Sequence, residues 1–158
     1  MTGISWTRTT PADMIASFDG LGGALQRNLR NAAEDIGVRI RGAAAENAPV
    51  DTGRLRASLE SRVIVDGSVL RVVIGTNLDY AAPMEFGTSP FMPPPSALRG
   101  WAGRVLGDEN LAFPVALSIS ATGLDERRYL RDALEENIDW AEGRIVDAVE
   151  AAFEEAFG

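Results

Sequence analysis

Apolar residues recur at steps of three or four from Phe18 through Leu21, Leu25, Leu29, Ala32, Ile36 and Ile40 to Ala44. That spacing lines one stripe of a helix and predicts a single long helix over residues 12–47, with Thr10 or Asp13 as its cap. Gly20, Gly22 and Gly23 weaken the first turns by up to ~1 kcal/mol each relative to alanine, so the helix begins or bends near residue 20. Pro49 ends it, because proline lacks the amide donor and its ring crowds the preceding turn. The pattern then changes to a period of two. Residues 59–66 and 69–76 read as a β-hairpin turned by Asp66-Gly67, a pair suited to positive φ. The second strand is the more apolar, which predicts the more central position. Residues 80–86 read as a short helical turn on the sheet, closed by Gly87.

Beyond the hairpin, Ser89-Pro90-Phe91-Met92-Pro93-Pro94-Pro95 is neither helix nor central strand, with four prolines in six positions. It reads as a semi-rigid arm that either reaches a neighbour or lies against its own domain. Residues 96–106 predict a helix capped by Ser96, with Leu98, Trp101, Ala102 and Val105 on one face. Residues 111–121 are ambiguous, since Phe113, Val115, Leu117 and Ile119 alternate as a strand would. Leu130, Leu134, Ile138, Ala141, Ile145, Val149, Ala152 and Ala156 mark a long amphipathic helix, expected to lay its stripe along the N-terminal helix. The fold class is α+β: a long N-terminal helix, a small antiparallel sheet with a central β-hairpin, and a helical C-terminal half. Residues 1–11 form an N-terminal arm and 12–158 one domain, within the length of a single core.

Composition narrows the chemistry. There is no cysteine, no histidine and no lysine; all 15 basic residues are arginine. Disulfides, thiolate metal sites, imidazole catalysis and Schiff-base chemistry are excluded, and no cofactor is expected. The net charge of −8 is uneven: residues 125–158 hold 11 acids against four arginines. Such a chain is a poor general binder of phosphate backbones, although an acidic wall would let DNA slide through a channel. The plainer reading of the acids is a solvated helix face. No run of 18 apolar residues is present, and the first residues carry no secretory pattern, so synthesis in a cytoplasm is expected.

Two segments stand out in series. Ala48-Pro49-Val50-Asp51-Thr52-Gly53-Arg54-Leu55-Arg56-Ala57-Ser58-Leu59 comes first, with Asp51, Thr52 and Gly53 as turn residues able to cap the next element. Gly75-Thr76-Asn77-Leu78-Asp79-Tyr80-Ala81-Ala82-Pro83-Met84-Glu85-Phe86-Gly87-Thr88 follows one hairpin later. A third element, Tyr129-Leu130-Arg131-Asp132-Ala133-Leu134, opens the last helix, with Asp132 where a proline would be usual. Together they resemble the neck or tail-component family of long-tailed double-stranded DNA phages, named after the tenth gene product of a coliphage, over residues 12–158. In related members residues 111–121 would be helix. The resemblance implies a structural virion protein and no enzyme: a homo-oligomeric ring, a hexamer in preference to a dodecamer, at the head–tail interface. Its expected neighbours are head-closure or stopper, adaptor or portal, tail-terminator and tail-tube proteins, with DNA passing through the lumen unread and no membrane involved. A tail-terminator or adaptor ring is the alternative, and a carboxylate-only hydrolase a more distant one.

The resemblance makes Pro49, Asp51, Thr52, Gly53, Leu55, Gly75, Tyr80, Glu85, Phe86, Gly87, Thr88, Leu130 and Arg131 motif residues. Glu85 lies between Met84 and Phe86, where a partner such as Arg54 or Arg56 would make structural sense. The acid pairs Glu135/Asp139 and Glu150/Glu154 read as solvated charges. Trp6, Phe91, Met92 and Trp140 are candidate interface residues, tryptophan being enriched at interface hot spots; Phe153 reads as core.

Overall fold

The computed structural model describes residues 22–67 and 69–157 of the chain. Trp6, Phe18, Leu21, the caps Thr10 and Asp13 and the arm of residues 1–11 lie outside the described residues. From Gly22 onward the order is α1 (Gly23–Asn47), α2 (Arg54–Ser58), β1 (Glu60–Asp66), β2 (Val69–Gly75), α3 (Ala81–Phe86), α4 (Pro95–Val105), a 3-10 turn (Glu109–Leu111), α5 (Ala112–Thr122), α6 (Tyr129–Glu136) and α7 (Ile138–Phe157). The fold is α+β, as the two hydrophobic periods predict.

Helix α1 is the spine. Its inward stripe, Leu29, Ala32, Ile36, Ile40 and Ala44, is buried as expected, and α7, α6 and the hairpin all pack along it. Strands β1 and β2 form a two-stranded antiparallel sheet in which Val63 faces Val72 and Ser61 faces Ile74. The sheet packs closely because Gly37 has no side chain: a Cβ there would stand 3.2 Å from both Ser61 Cβ and Val72 Cγ1. Gly37 therefore serves packing within the subunit. With only two strands neither is central, although β2 is the more buried.

The C-terminal stripe is carried by two helices instead of one. Asn137 turns its side chain back onto the Ala133 carbonyl at 2.8 Å and accepts from Arg39 Nε at 2.7 Å. Such back-bonding competes with the backbone ladder and bends a helix, and it explains the break between α6 and α7. Beyond the bend, Ala141, Ala148 and Ala152 are buried against α1, while Asp139, Glu142, Glu150 and Glu154 face outward. Phe153, expected as core, is 58% exposed, because it falls on the outward line of α7.

Residues 88–123 make an excursion from this body. The chain leaves at Thr88 and returns at Leu124, and these two residues form an isolated antiparallel bridge. Thr88 N–H donates to the Leu124 carbonyl at 2.9 Å, and Leu124 N–H donates to Thr88 Oγ1 at 3.0 Å. Gly87 (φ 69°) and Gly123 (φ 79°) flank the bridge. A Cβ on Gly87 would lie 2.5 Å from the Leu124 carbonyl oxygen, and one on Gly123 would collide with that of Thr88. Only glycine fits this neck.

Within the lobe so formed, the proline run is extended. Pro93 is buried, and Phe91 N–H reaches the Ile119 carbonyl at 3.4 Å, so the run lies against its own subunit at that point. Helix α4 starts at Pro95 with Pro94 as its cap position, and Ser96 caps nothing. A proline at the first helical position has the right φ and no amide to satisfy. Residues 112–122 are helix, not strand, and bury Ala112, Ala116 and Ile119 at helical steps while Phe113 and Leu117 point outward. The helices of the lobe pack chiefly on one another.

Candidate functional site: the motif junction

The first motif begins at the end of α1, where Ala48 turns to extended geometry and Pro49 follows. Gly53 takes left-handed backbone (φ 77°) as the cap position of α2, which buries Leu55. Thr52 is exposed. Asp51 does not cap the turn. Its carboxylate meets Arg104 of α4 in a two-pronged pair, Nε to Oδ1 at 2.7 Å and Nη2 to Oδ2 at 2.6 Å. A guanidinium fork matches a carboxylate better than a single backbone amide does, and that geometry diverts Asp51 from capping. The hydrogen bond from Arg104 holds the Asp51 carboxyl below the usual carboxylate range. Arg56 in turn donates to the carbonyls of Ala45 and Glu46 at 2.7 and 3.4 Å, satisfying the end of α1.

The second motif opens as β2 ends at Gly75. Buried Thr76 accepts from Leu78 N–H at 3.2 Å, and its Oγ1 lies 2.6 Å from Ser58 Oγ, so the two motifs are joined by a hydroxyl pair. Tyr80 is the cap position of α3, which closes at Gly87.

Glu85 is fully buried, and its partner is neither Arg54 nor Arg56. Its carboxylate accepts the backbone N–H of Leu130 at 2.8 Å and of Arg131 at 3.0 Å. The Met84 and Glu85 carbonyls accept from Arg127 and Arg128 at 2.9 and 3.2 Å. The first amides of a helix have no partner within it and carry the positive end of its dipole, so a buried carboxylate is matched there without any cation. The second motif thereby docks onto the third. Helix α6 begins at Tyr129 after Arg128 in left-handed geometry (φ 48°). Asp132, at the position usually proline, pairs with Arg128 at 2.9 Å. Leu130 is buried, and the Arg131 guanidinium stands 5.7 Å from the ring centre of half-exposed Phe86.

Tyr129 is also wholly buried, and its hydroxyl has no hydrogen-bond partner among the described residues. Burial, reinforced by the nearby Glu85 carboxylate, pushes its phenol well above the ordinary tyrosine range.

Of the candidate interface residues, Phe91 and Met92 are exposed on the lobe. Trp140 is half-buried against the body, with the Arg39 guanidinium 4.3 Å from its ring centre. Ser58, Thr76, Arg104, Arg39 and Asn137 were not singled out by sequence. Thr76-Asn77-Leu78 does carry a local signal, a hydroxyl two residues before the amide it accepts from. The Arg104 and Asn137 pairings span 53 and 98 residues and have none. Among the described residues no group of three acids is placed to hold a metal ion. Nor is any described helix long and apolar enough to cross a membrane.

Residues 12–87 match the family model HK97-gp10_like, described as "Bacteriophage HK97-gp10, putative tail-component". Over these residues, just under half of the chain, it is similar to the HK97-gp10-like family. The match covers the first motif and all of the second but Thr88, ending at Gly87, the base of the lobe; the Tyr129–Leu134 element lies beyond it. No curated protein and no solved structure matches the chain. The family match points to the tail-component class of tailed-phage structural proteins.

Proposed function

We propose that the chain is a ring-forming component of the head–tail interface, seated between head-closure proteins and the tail, with DNA passing through its lumen. The observation that carries this reading is the family match over residues 12–87. The geometry supports a structural role, because the motif residues serve the fold. Asp51 holds the lobe, Thr76 joins the motifs and Glu85 caps α6. In this reading the outward acids of α7, Asp139, Glu142, Glu150 and Glu154, face solvent, a neighbouring ring's arginines, or the channel, where they would repel DNA.

Electron cryomicroscopy of virions, with an antibody fragment marking this chain, tests the proposal. Density for the chain as a closed ring at the neck is the expected result. A ring at the distal end of the tail tube, or a location in the capsid, would overturn it. A ring at the top of the tube alone would favour a tail terminator.

A further inference from the structure

The lobe differs from the rest of the chain in charge as well as in packing. Residues 88–123 hold Arg99, Arg104, Asp108 and Glu109 and are net neutral. The hairpin, residues 60–75, is neutral too, with Arg62 paired to Glu60 at 2.9 Å and Arg71 to Asp66 at 3.4 Å. The remaining residues hold 11 arginines and 19 acids, the whole of the −8.

These two neutral regions also present bare apolar side chains. On α5, Phe113 (55% exposed) and Leu117 (48%) stand one turn apart, with Val105, Leu106 and Leu111 exposed where α4 passes to α5. At the hairpin tip Ile64, Val65 and Val69 are exposed, and among the described residues neither edge of the two-stranded sheet has a neighbouring strand. Unpaired edges are surfaces that proteins ordinarily cover or guard.

We propose that the lobe of one subunit docks, through Phe113 and Leu117, on the hairpin tip of a second copy of this chain. Two copies of an acidic protein repel when their charged faces meet, and a contact between neutral patches avoids that repulsion. The patches are different, so the contact is head-to-tail and leaves a lobe free at one end and a hairpin at the other. Repeated with the right rotation it closes a ring. The inference rests on the ring reading and names its surfaces.

Because the chain has no cysteine, introduced thiols are the only ones present. Phe113→Cys and Val65→Cys are combined in one chain, and the protein is oxidised with copper–phenanthroline, each disulfide forming from two thiols as the copper oxidant takes two electrons. The expected product is a ladder of trimers and longer species, with no crosslink from either single variant. Dimers from Phe113→Cys alone would show lobe meeting lobe and overturn the proposal.

In sedimentation velocity, Phe113→Ser with Leu117→Ser should weaken self-association at least about tenfold, the usual effect of losing a buried interface anchor. Val146→Ser on the outward face of α7 should leave it unchanged. The reverse pattern, or a protein monomeric at every concentration, overturns the lobe–hairpin contact. The ring reading would still stand or fall on the virion image.

Discussion

The body of the subunit is held by large apolar side chains around α1, whereas the lobe is held chiefly by small ones and by tethers. Leu29, Ile36, Ile40, Leu55, Leu59, Ile74, Tyr129 and Leu130 are all buried in the body. In the lobe the buried hydrophobic residues are Ala102, Ala112, Ala116 and Ile119. A buried leucine or isoleucine contributes about 1.5–3 kcal/mol and a single buried carbon group about 0.8 kcal/mol. Global stability therefore resides in the body, and the lobe belongs to the low-stability end of the molecule. The body's polar groups are largely matched inside it, as Glu85 and Asn137 show, while the lobe turns its large apolar side chains outward. One region is built to fold and the other to be covered.

The largest expected effect comes from breaking the body. Ile145 packs against both buried clusters along α1, so Ile145→Asp would bury an unpaired charge. A loss of more than ~3 kcal/mol is expected in urea unfolding. Glu150→Gln, on the outward face of the same helix, should change little. If the isoleucine variant melts like wild type, α7 is not part of the body core and the comparison fails at its root.

Glu85→Gln tests how far the body depends on its one internal carboxylate cap. The amide oxygen can still accept one amide of α6, but its NH2 group then faces the other donor. Removing a partner from a buried donor costs about 1–3 kcal/mol, and a value near 2 is expected. A variant indistinguishable from wild type would mean that the junction between α3 and α6 rests on the backbone bonds from Arg127 and Arg128 alone.

These elements differ in how legible they are in sequence. The α1 stripe, the hairpin with its Asp66-Gly67 turn, and the helix ended by Gly87 follow from spacing and turn chemistry. The family resemblance favours helix at α5, but the hydrophobic pattern hides it, because alanines occupy its buried positions while Phe113 and Leu117 face outward. The bend at Asn137 was hidden because the apolar stripe continues across it in phase. Asp51 and Glu85 stood out as residues, but their partners did not. Asp51 finds a side chain 53 positions away, and Glu85 finds backbone amides, which leave no mark on sequence.

Alkali separates the regions in a different way. Tyr129 has a raised value in the folded state, so its contribution is fully present below the unfolded tyrosine value and is lost as pH rises beyond it. Above pH ~10 the body should lose about 1.4 kcal/mol per pH unit. There is no lysine to titrate in the same range. Tyr129→Phe should remove this dependence and, because the hydroxyl has no partner, cost little at neutral pH. The difference in absorbance near 295 nm between wild type and Tyr129→Phe should show Tyr129 ionising only with unfolding. Ionisation of Tyr129 below the unfolding transition would place it in contact with water.

The smallest effect, and the one confined to the lobe, should follow from Asp51→Asn. Asp51 and Arg104 form an exposed pair, and exposed pairs add little to global stability however good their geometry. The melting curve should therefore stay where it is. What the pair does is join the loop after α1 to α4, so its loss should appear as faster amide hydrogen exchange in α4 with exchange in α1 unchanged. Acid should act the same way. The folded value of Asp51 is depressed, so the tether is intact above the ordinary carboxylate value near 3.9 and is lost as pH falls through the lower folded value. As pH falls below the ordinary carboxylate range, amide resonances of α4 should then move toward those of the Asp51→Asn variant, with the α1 resonances lagging behind. If α1 and α4 respond together in both experiments, lobe and body form one cooperative unit, and the division between them is one of shape and charge alone.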